Sequence, residues 1–497
     1  MTNQLGGIDL LVIIGLMGWV TWYGHRLSGQ IADRQGFFQA GGSLPWWAVA
    51  ASIVATLVSS VTFISVPAAV FREGGNLTYV QVILGLALGK LAIAALVARP
   101  FYLSQGIQTS YEYIGARLDR ATGELSMIVG LALNTINSGI KLLTASLVLD
   151  VITGWGLPIC AAAIVLIGIL WSALGGLKTV IWTDFLLFII FSVGAAFALI
   201  YIWWRLEQDP YSALTWLDNE AKLILFDFTT DLKVRYSIWA GVFGSICLSI
   251  AQSTTQGTWQ RVRACRSLTD ARKAYAYSAL FYGMHLLVLA VGLGLAVFYH
   301  EVGISPELAA VLDDSPDRIF PHFIVTELPV GIAGLFIAAI FAAAISTLDT
   351  ALTESADISI RHLYERFFGQ DEDERHYLRL ARWSLVLWGA IFYAASLFFS
   401  AYSAEGLLDL TFKLPNYVVG ILFATILLAR FGIGRIRSYL AGCLVAVLTI
   451  TGLIQADVAF FYWCPLSGSA MFLCVWLIER KPLDTNGVVH PPAIEPL

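Results

Sequence analysis

Charge is what this sequence has least of. Only 13% of its 497 residues are Asp, Glu, Lys or Arg, against ~25% in ordinary soluble domains. So few charges cannot cover a water-exposed surface, and this excludes a soluble enzyme or binding domain. Histidine is scarce as well. The seven histidines (His25, His285, His300, His322, His362, His376 and His490) form no catalytic or metal-ligating group, which leaves a membrane enzyme without its chemistry. Six cysteines (Cys160, Cys247, Cys265, Cys443, Cys464 and Cys474) lie scattered, without pairing or metal spacing, and read as packing thiols. There is no basic stripe of the kind that holds nucleic acid, and a net charge of −5 says little about partners. The longest stretch between apolar segments is about 30 residues, near 205–235, too short to hold the signalling domain a sensor would need.

What is present instead is long hydrophobic runs, with 58% of the chain hydrophobic. A helix needs about 20 mostly apolar residues to cross a bilayer, and the backbone satisfies itself in lipid only as a helix or a closed barrel. Thirteen segments qualify, near 8–24, 45–70, 77–98, 122–152, 157–174, 180–204, 236–255, 274–299, 322–361, 383–400, 406–429, 438–455 and 458–478. The expected fold class is therefore all-α and polytopic. The first run, IDLLVIIGLMGWVTWYG, follows no positive residue and precedes no small-residue cleavage site, so it reads as a retained helix rather than a signal peptide. With the N-terminus outside, twenty-one of thirty basic residues, Arg261 and Arg263 among them, fall on the cytoplasmic side. Lys90, Lys141 and Lys413 remain within spans. This asymmetry agrees with an odd count and a cytoplasmic C-terminus. The tail at 482–497, rich in Pro and polar residues, reads as disordered.

Two spans carry unusual polarity. In ASIVATLVSSVTFISVPAAVF, the side chains Ser52, Thr56, Ser59, Ser60, Thr62 and Ser65 cluster ahead of Pro67. Helix–helix glue is one reading; a discontinuous helix whose freed carbonyls hold ions and solute is the other. In IAAIFAAAISTLDTALTESADISI, Ser346, Thr350, Thr353 and Asp357 share one helix face, flanked by Thr347 and Asp349. Oxygen ligands of this kind suit hard cations, and an ionisable group at bilayer depth normally faces a cavity, an ion or a partner. A water path or a lysine partner would also account for the stripe. A channel would line a continuous pore, whereas these groups gather on two helices. By position, Asp184 reads as a helix-end residue, and Asp409 with Lys413 as an i,i+4 pair. Lys141 pairs or snorkels. Gln81, Asn134 and Asn137 suit structural bonds and solute contacts equally.

The motifs FFQAGGSLPWWAVAASIVATLVSSVTF, YEYIGARLD, GGLKTVIWTD, QSTTQGTWQR and GIAGLFIAAIFAAAISTLDTALTESADI, in this order and over nearly the whole chain, resemble those of the sodium:solute symporters. The pattern is similar to bacterial members between the sialic acid transporters and the iodide and monocarboxylate carriers. The resemblance implies a LeuT-like core of two five-helix inverted repeats, at 45–204 and 236–429, joined by an extracellular loop at 205–235. One extra helix with its loop would precede the core at 1–44, and two would follow at 430–481. It also implies sodium-coupled symport by alternating access at a cell membrane, the bacterial inner membrane in this case, with one or two Na+ per cycle. The partners would be a small solute and lipid, with no nucleic acid and no required oligomer. A proton-coupled or sodium-independent transporter of the same fold, or a non-transporting sensor or channel, is the alternative.

The resemblance carries site residues as well. Its shared sodium site matches Ala55, Val58, Ala343, Ser346 and Thr347. A second cation site found in some members matches Asp184, Asp349 and Thr350, although the sialic acid branch has a hydroxyl where Asp349 stands. Ser59, Ser60, Thr62 and Gln81 match solute-touching positions. Asn137 stands where the sialic acid branch has its carboxylate-gripping arginine, which disfavours sialic acid here.

Overall fold

The computed structural model describes residues 6–28, 34–57, 60–104, 106–314, 316–368, 373–401 and 407–480. The tail expected to be disordered lies outside them. The described chain is helical, with one isolated bridge between Leu44 and Cys265. Helix α1 spans Gly7–Ser28. Helices α2 (Trp46–Leu57) and α3 (Ser60–Phe71) follow, with axes bent by 56°. The bend falls upstream of Pro67, which sits inside α3. Helix α4 (Val80–Leu96) leads to a short, half-buried helix α5 (Ser110–Arg117) and then to α6 (Arg120–Thr153). Asp119 caps α6 by accepting from the Thr122 amide at 2.9 Å, and Gly154 ends it in the left-handed region at φ 66°, the usual asymmetry of helix ends.

The two spans expected at 157–174 and 180–204 are two helical stretches, Leu157–Ala173 and Gly176–Arg205, that meet at a kink and are labelled together α7 (Leu157–Arg205). Its turn comes at Gly176, with φ 54° and ψ −165°. A Cβ there would lie 2.6 Å from the carbonyl oxygen of Phe37, so both backbone conformation and space demand glycine.

The span expected at 236–255 is interrupted. A π-helical turn at Trp239–Gly244 runs into α8 (Ser245–Ala251), a single tight turn at Gln252–Thr254, and α9 (Gln256–Ala264). Helix α10 (Leu268–Phe281) is capped by Ser267, and a short break separates it from α11 (Met284–Val302). The remaining long helices are α12 (Ile332–Ile358), α13 (Glu374–Ser400), α14 (Leu407–Phe431), α15 (Ile436–Gln455) and α16 (Trp463–Glu479).

Nine helices among the described residues are long and apolar enough to cross a membrane, or ten if α2 and α3 are one span. Gly7–Tyr23 and Leu157–Ala173 are shorter apolar helices. Helix α12 is the innermost, buried almost throughout, and it packs on α7, α6 and α1. It also touches both α2 and α3, so the bent pair and the polar stripe meet in the interior.

Candidate functional site

Asp184 is fully buried on α7, where it joins three helices. Its carboxylate accepts from Ser52 on α2 at 2.5 Å and from Ser346 on α12. The Arg261 guanidinium of α9 lies 3.7 Å from the same carboxylate and 3.8 Å from Glu354 on α12. Arg261 also donates to Ser52 at 3.3 Å, to Thr56 at 2.5 Å and to Thr350 at 3.3 Å. A guanidinium offers five donors in a rigid fork, and here that fork ties the two polar helices together. The helix-end reading of Asp184 does not hold, because the residue sits at the centre of this network. Arg261, counted with the cytoplasmic loop, is only 4% exposed. A segment as polar as QGTWQRVRA reads as loop by composition, yet the chain folds it inward.

The residues proposed for the shared sodium site divide as follows. Ala55 and Ala343 are buried at the facing helices. Thr347 is buried, and its hydroxyl has no hydrogen-bond partner among the described residues, an exception that calls for an explanation in a native interior. Ser346 is engaged by Asp184. Val58 and Ser59 lie outside the described residues, as does the side chain of Ser60.

The residues proposed for the second site take different hydrogen-bond partners. Asp184 and Thr350 meet through Arg261. Asp349 instead accepts from Ser172 on α7 at 2.6 Å. Thr353 bonds its own helix at the carbonyls of Asp349 and Thr350, and Asp357 is held by Gln256, Gln260 and Arg361. The outer part of the polar stripe is therefore spent on internal bonds.

Two cavities flank this network. The arginine cavity, about 120 Å³, is lined by Thr56, Lys90, Gln252, Arg261, Thr347, Thr350 and Glu354, among others. The aromatic cavity, about 110 Å³, is lined by Thr62, Tyr79, Leu133, Tyr282, His285, Phe412 and others. Asn137, Lys141 and Gln252 border both. Lys141 donates to the backbone carbonyl of Thr56 at 3.0 Å, at the C-terminal end of α2, and Lys90 donates to Gln252 at 3.2 Å.

Gln81 lines neither cavity. Its amide bonds the carbonyls of Thr78 and Tyr236 and accepts from the Asp227 amide, so it ties a surface loop to α4. Asn134 bonds Ala351 and Ser355 on α12 and acts as helix–helix glue. Asp409 pairs with Arg235. Sequence reasoning missed Glu354, Gln252, Tyr282 and His285. Glu354 lies one turn past Thr350, so the helical period alone could have found it. The other three needed the breaks at 252–254 and 282–283.

A many-helix bundle whose bent helix pair faces buried polar cavities defines a transport protein of the membrane. The sodium:solute symporter family model matches residues 37–449, and the chain belongs to that family, a family of transporters rather than enzymes. It is 26% identical to the human sodium/iodide cotransporter over 433 residues, 86% of this chain and 65% of that protein. It is 25% identical to the sodium/sialic acid symporter of Aliivibrio fischeri over 494 residues, 97% of this chain and 95% of that one. Among solved structures, an outward-open Na+-coupled sialic acid symporter superposes with a TM-score of 0.82 at 23% identity, covering 95% of this chain and 98% of its own. The nucleobase-cation-symport transporter Mhp1 superposes with a TM-score of 0.55 at 15% identity, covering 89% and 93%. These likenesses bear on the fold.

Proposed function

We propose that this chain is a sodium-coupled secondary active symporter that imports a small organic solute or anion by alternating access. On this reading there are thirteen crossings: the nine long spans, the bent pair, the two shorter apolar helices and the interrupted segment at 239–264. An odd count places the termini on opposite faces, and the bias of basic residues then supports an N-terminus outside and a C-terminus in the cytoplasm of a bacterial inner membrane. Within them, 45–204 and 236–429 are the two inverted repeats, each opening on a broken helix.

The observation that carries the reading is the buried hydroxyl of Thr347, without a hydrogen-bond partner among the described residues, on the helix that packs against α2 and α3. A hydroxyl oxygen beside freed carbonyls is the donor set a hard monovalent cation takes. Sodium is cargo here. Ala55, Val58, Ala343, Ser346 and Thr347 would hold it, and Asp184, Asp349 and Thr350 bear on a second ion. Thr62 and Asn137 face the solute, with Ser59 and Ser60 just ahead of Thr62 in sequence.

Uptake by proteoliposomes tests this reading. Solute accumulation should collapse when the sodium gradient is removed. Downhill flux indifferent to sodium would sink it.

A further inference from the structure

The charge that lines the two cavities is unbalanced. Lys90, Lys141 and Arg261 face one carboxylate, Glu354, in the combined lining. Arg261 is committed to Asp184 and Glu354. Among the described residues Lys141 forms no ion pair, and its one hydrogen bond is to the Thr56 carbonyl at 3.0 Å. An ammonium has three donors, so two remain for the cavities that Lys141 borders. Among the described residues the aromatic cavity has no carboxylate in its lining, and Leu86, Leu133, Leu248, Phe412 and Val419 form an apolar wall opposite polar groups that include Thr62, Asn137, Gln252 and His285. The hydroxyl of Tyr282, a residue 1% exposed in the same lining, has no hydrogen-bond partner among the described residues. Lys141 is half-buried, and a cation withdrawn from water without a directly bonded counter-ion is costly; an unpartnered donor in the same lining adds to the demand for an acceptor.

We propose that the aromatic cavity takes a small organic monocarboxylate, and that Lys141 is its anchor. The carboxylate accepts from the ammonium, and the hydrocarbon body fills the leucine and phenylalanine wall. A bare inorganic anion would leave that wall unused. A cavity of about 110 Å³ lies below the ~300–1,000 Å³ of drug-sized sites, so a compact body fits where a sugar acid does not.

The same lysine links solute to ion. Its ammonium sits on the Thr56 carbonyl, one residue from Ala55 and two from Val58, the carbonyls assigned to sodium. A cation there repels sodium, and a carboxylate that draws the ammonium away or neutralises it raises sodium affinity. Lys141 is thus a coupling residue as well as an anchor. The inference rests on the sodium-symport reading above.

The test uses the purified full chain in nanodiscs and follows thermal unfolding over a sodium titration in constant ionic strength. Propionate, pyruvate and benzoate are compared with propionamide and benzamide, which keep shape and lose charge, and with iodide and nitrate. In sodium, at least one carboxylate should stabilise the protein at concentrations about tenfold or more below its amide, as a charge-assisted contact requires, and should raise sodium affinity. Lys141→Gln should bind sodium more tightly without solute and show no carboxylate effect on it. Lys141→Arg, which keeps the charge, should retain the preference for carboxylate over amide and guards against a Lys141→Gln variant that fails to fold. Equal binding of amide and carboxylate overturns the proposal, as does stabilisation by iodide or nitrate alone. A Lys141→Gln protein that keeps the carboxylate effect on sodium overturns it too. Carboxylate stabilisation that is identical in sodium and in potassium would instead defeat the symport reading and leave the anion site standing.

Discussion

Thr347 and Ser346 are neighbours with different situations. The Thr347 hydroxyl has no hydrogen-bond partner among the described residues, while the Ser346 hydroxyl is bonded to Asp184. Thr347→Ala should raise the half-saturating sodium concentration about tenfold, the scale of one lost charge-assisted contact, with little loss of stability. Ser346→Ala should do the same and also lower the unfolding temperature, because it strips a donor from a buried carboxylate. Sodium titrations followed by thermal unfolding separate the two. Asp349 is bonded by Ser172; if it holds a second sodium, Asp349→Ala lowers the Hill coefficient for sodium uptake toward one, and an unchanged coefficient assigns it a structural role. Arg261→Gln leaves Asp184 and Glu354 without their shared cation, and breaking a buried pair costs about 3–5 kcal/mol. The double variant Arg261→Gln with Glu354→Gln should recover part of that loss, which a double-mutant cycle of unfolding free energies measures. The polar stripe at Ser346–Thr350 was legible in the sequence because oxygen-bearing side chains stand out in an apolar run. Arg261 was not, since a polar segment at a span's end looks the same whether it turns out to water or inward to carboxylates.

At the scale of elements, breaks position the site. The bend between α2 and α3 was foreshadowed by small polar residues, although it falls ahead of Pro67 rather than at it. The interruption at 252–254 carried no comparable mark. QSTTQG is polar but contains no proline, and only its contact with α14 and the Lys90–Gln252 bond to α4 show what it lines. Gly176 is the non-helical break between the two spans that make up α7. Gly176→Ala meets the Phe37 carbonyl at 2.6 Å and a left-handed φ of 54°, so it should destabilise by about 1–3 kcal/mol. Gly452→Ala on α15, with nothing within 4 Å, should be neutral or slightly stabilising. Thermal unfolding of the two variants side by side checks the pair.

For the whole molecule, the coupling ratio fixes what the transporter can do. One charge crossing 100 mV is worth ~2.3 kcal/mol, and ~1.4 kcal/mol is a factor of ten. One sodium with a neutral solute thus supports about fortyfold accumulation from voltage alone. One sodium with a monoanion moves no net charge, so voltage then contributes nothing. Proteoliposomes clamped by potassium and valinomycin should show voltage-driven uptake of a monoanion only if a second sodium travels with it. Measuring charge against solute flux decides the stoichiometry.

The sequence by itself determined that this is a many-helix membrane protein of the sodium:solute symporter family, because hydrophobic run length and ordered motifs are properties of the chain alone. It also placed the polar stripe of α12, because helical period is local. Only the tertiary structure decided that Arg261 is interior, that Asp184 joins three helices, that Asp349 turns to Ser172, and that Gln81 serves a loop. Those facts concern which distant groups meet. A buried charge is stable only with the partner the fold brings to it, and that partner stands anywhere from one helical turn to more than a hundred residues away.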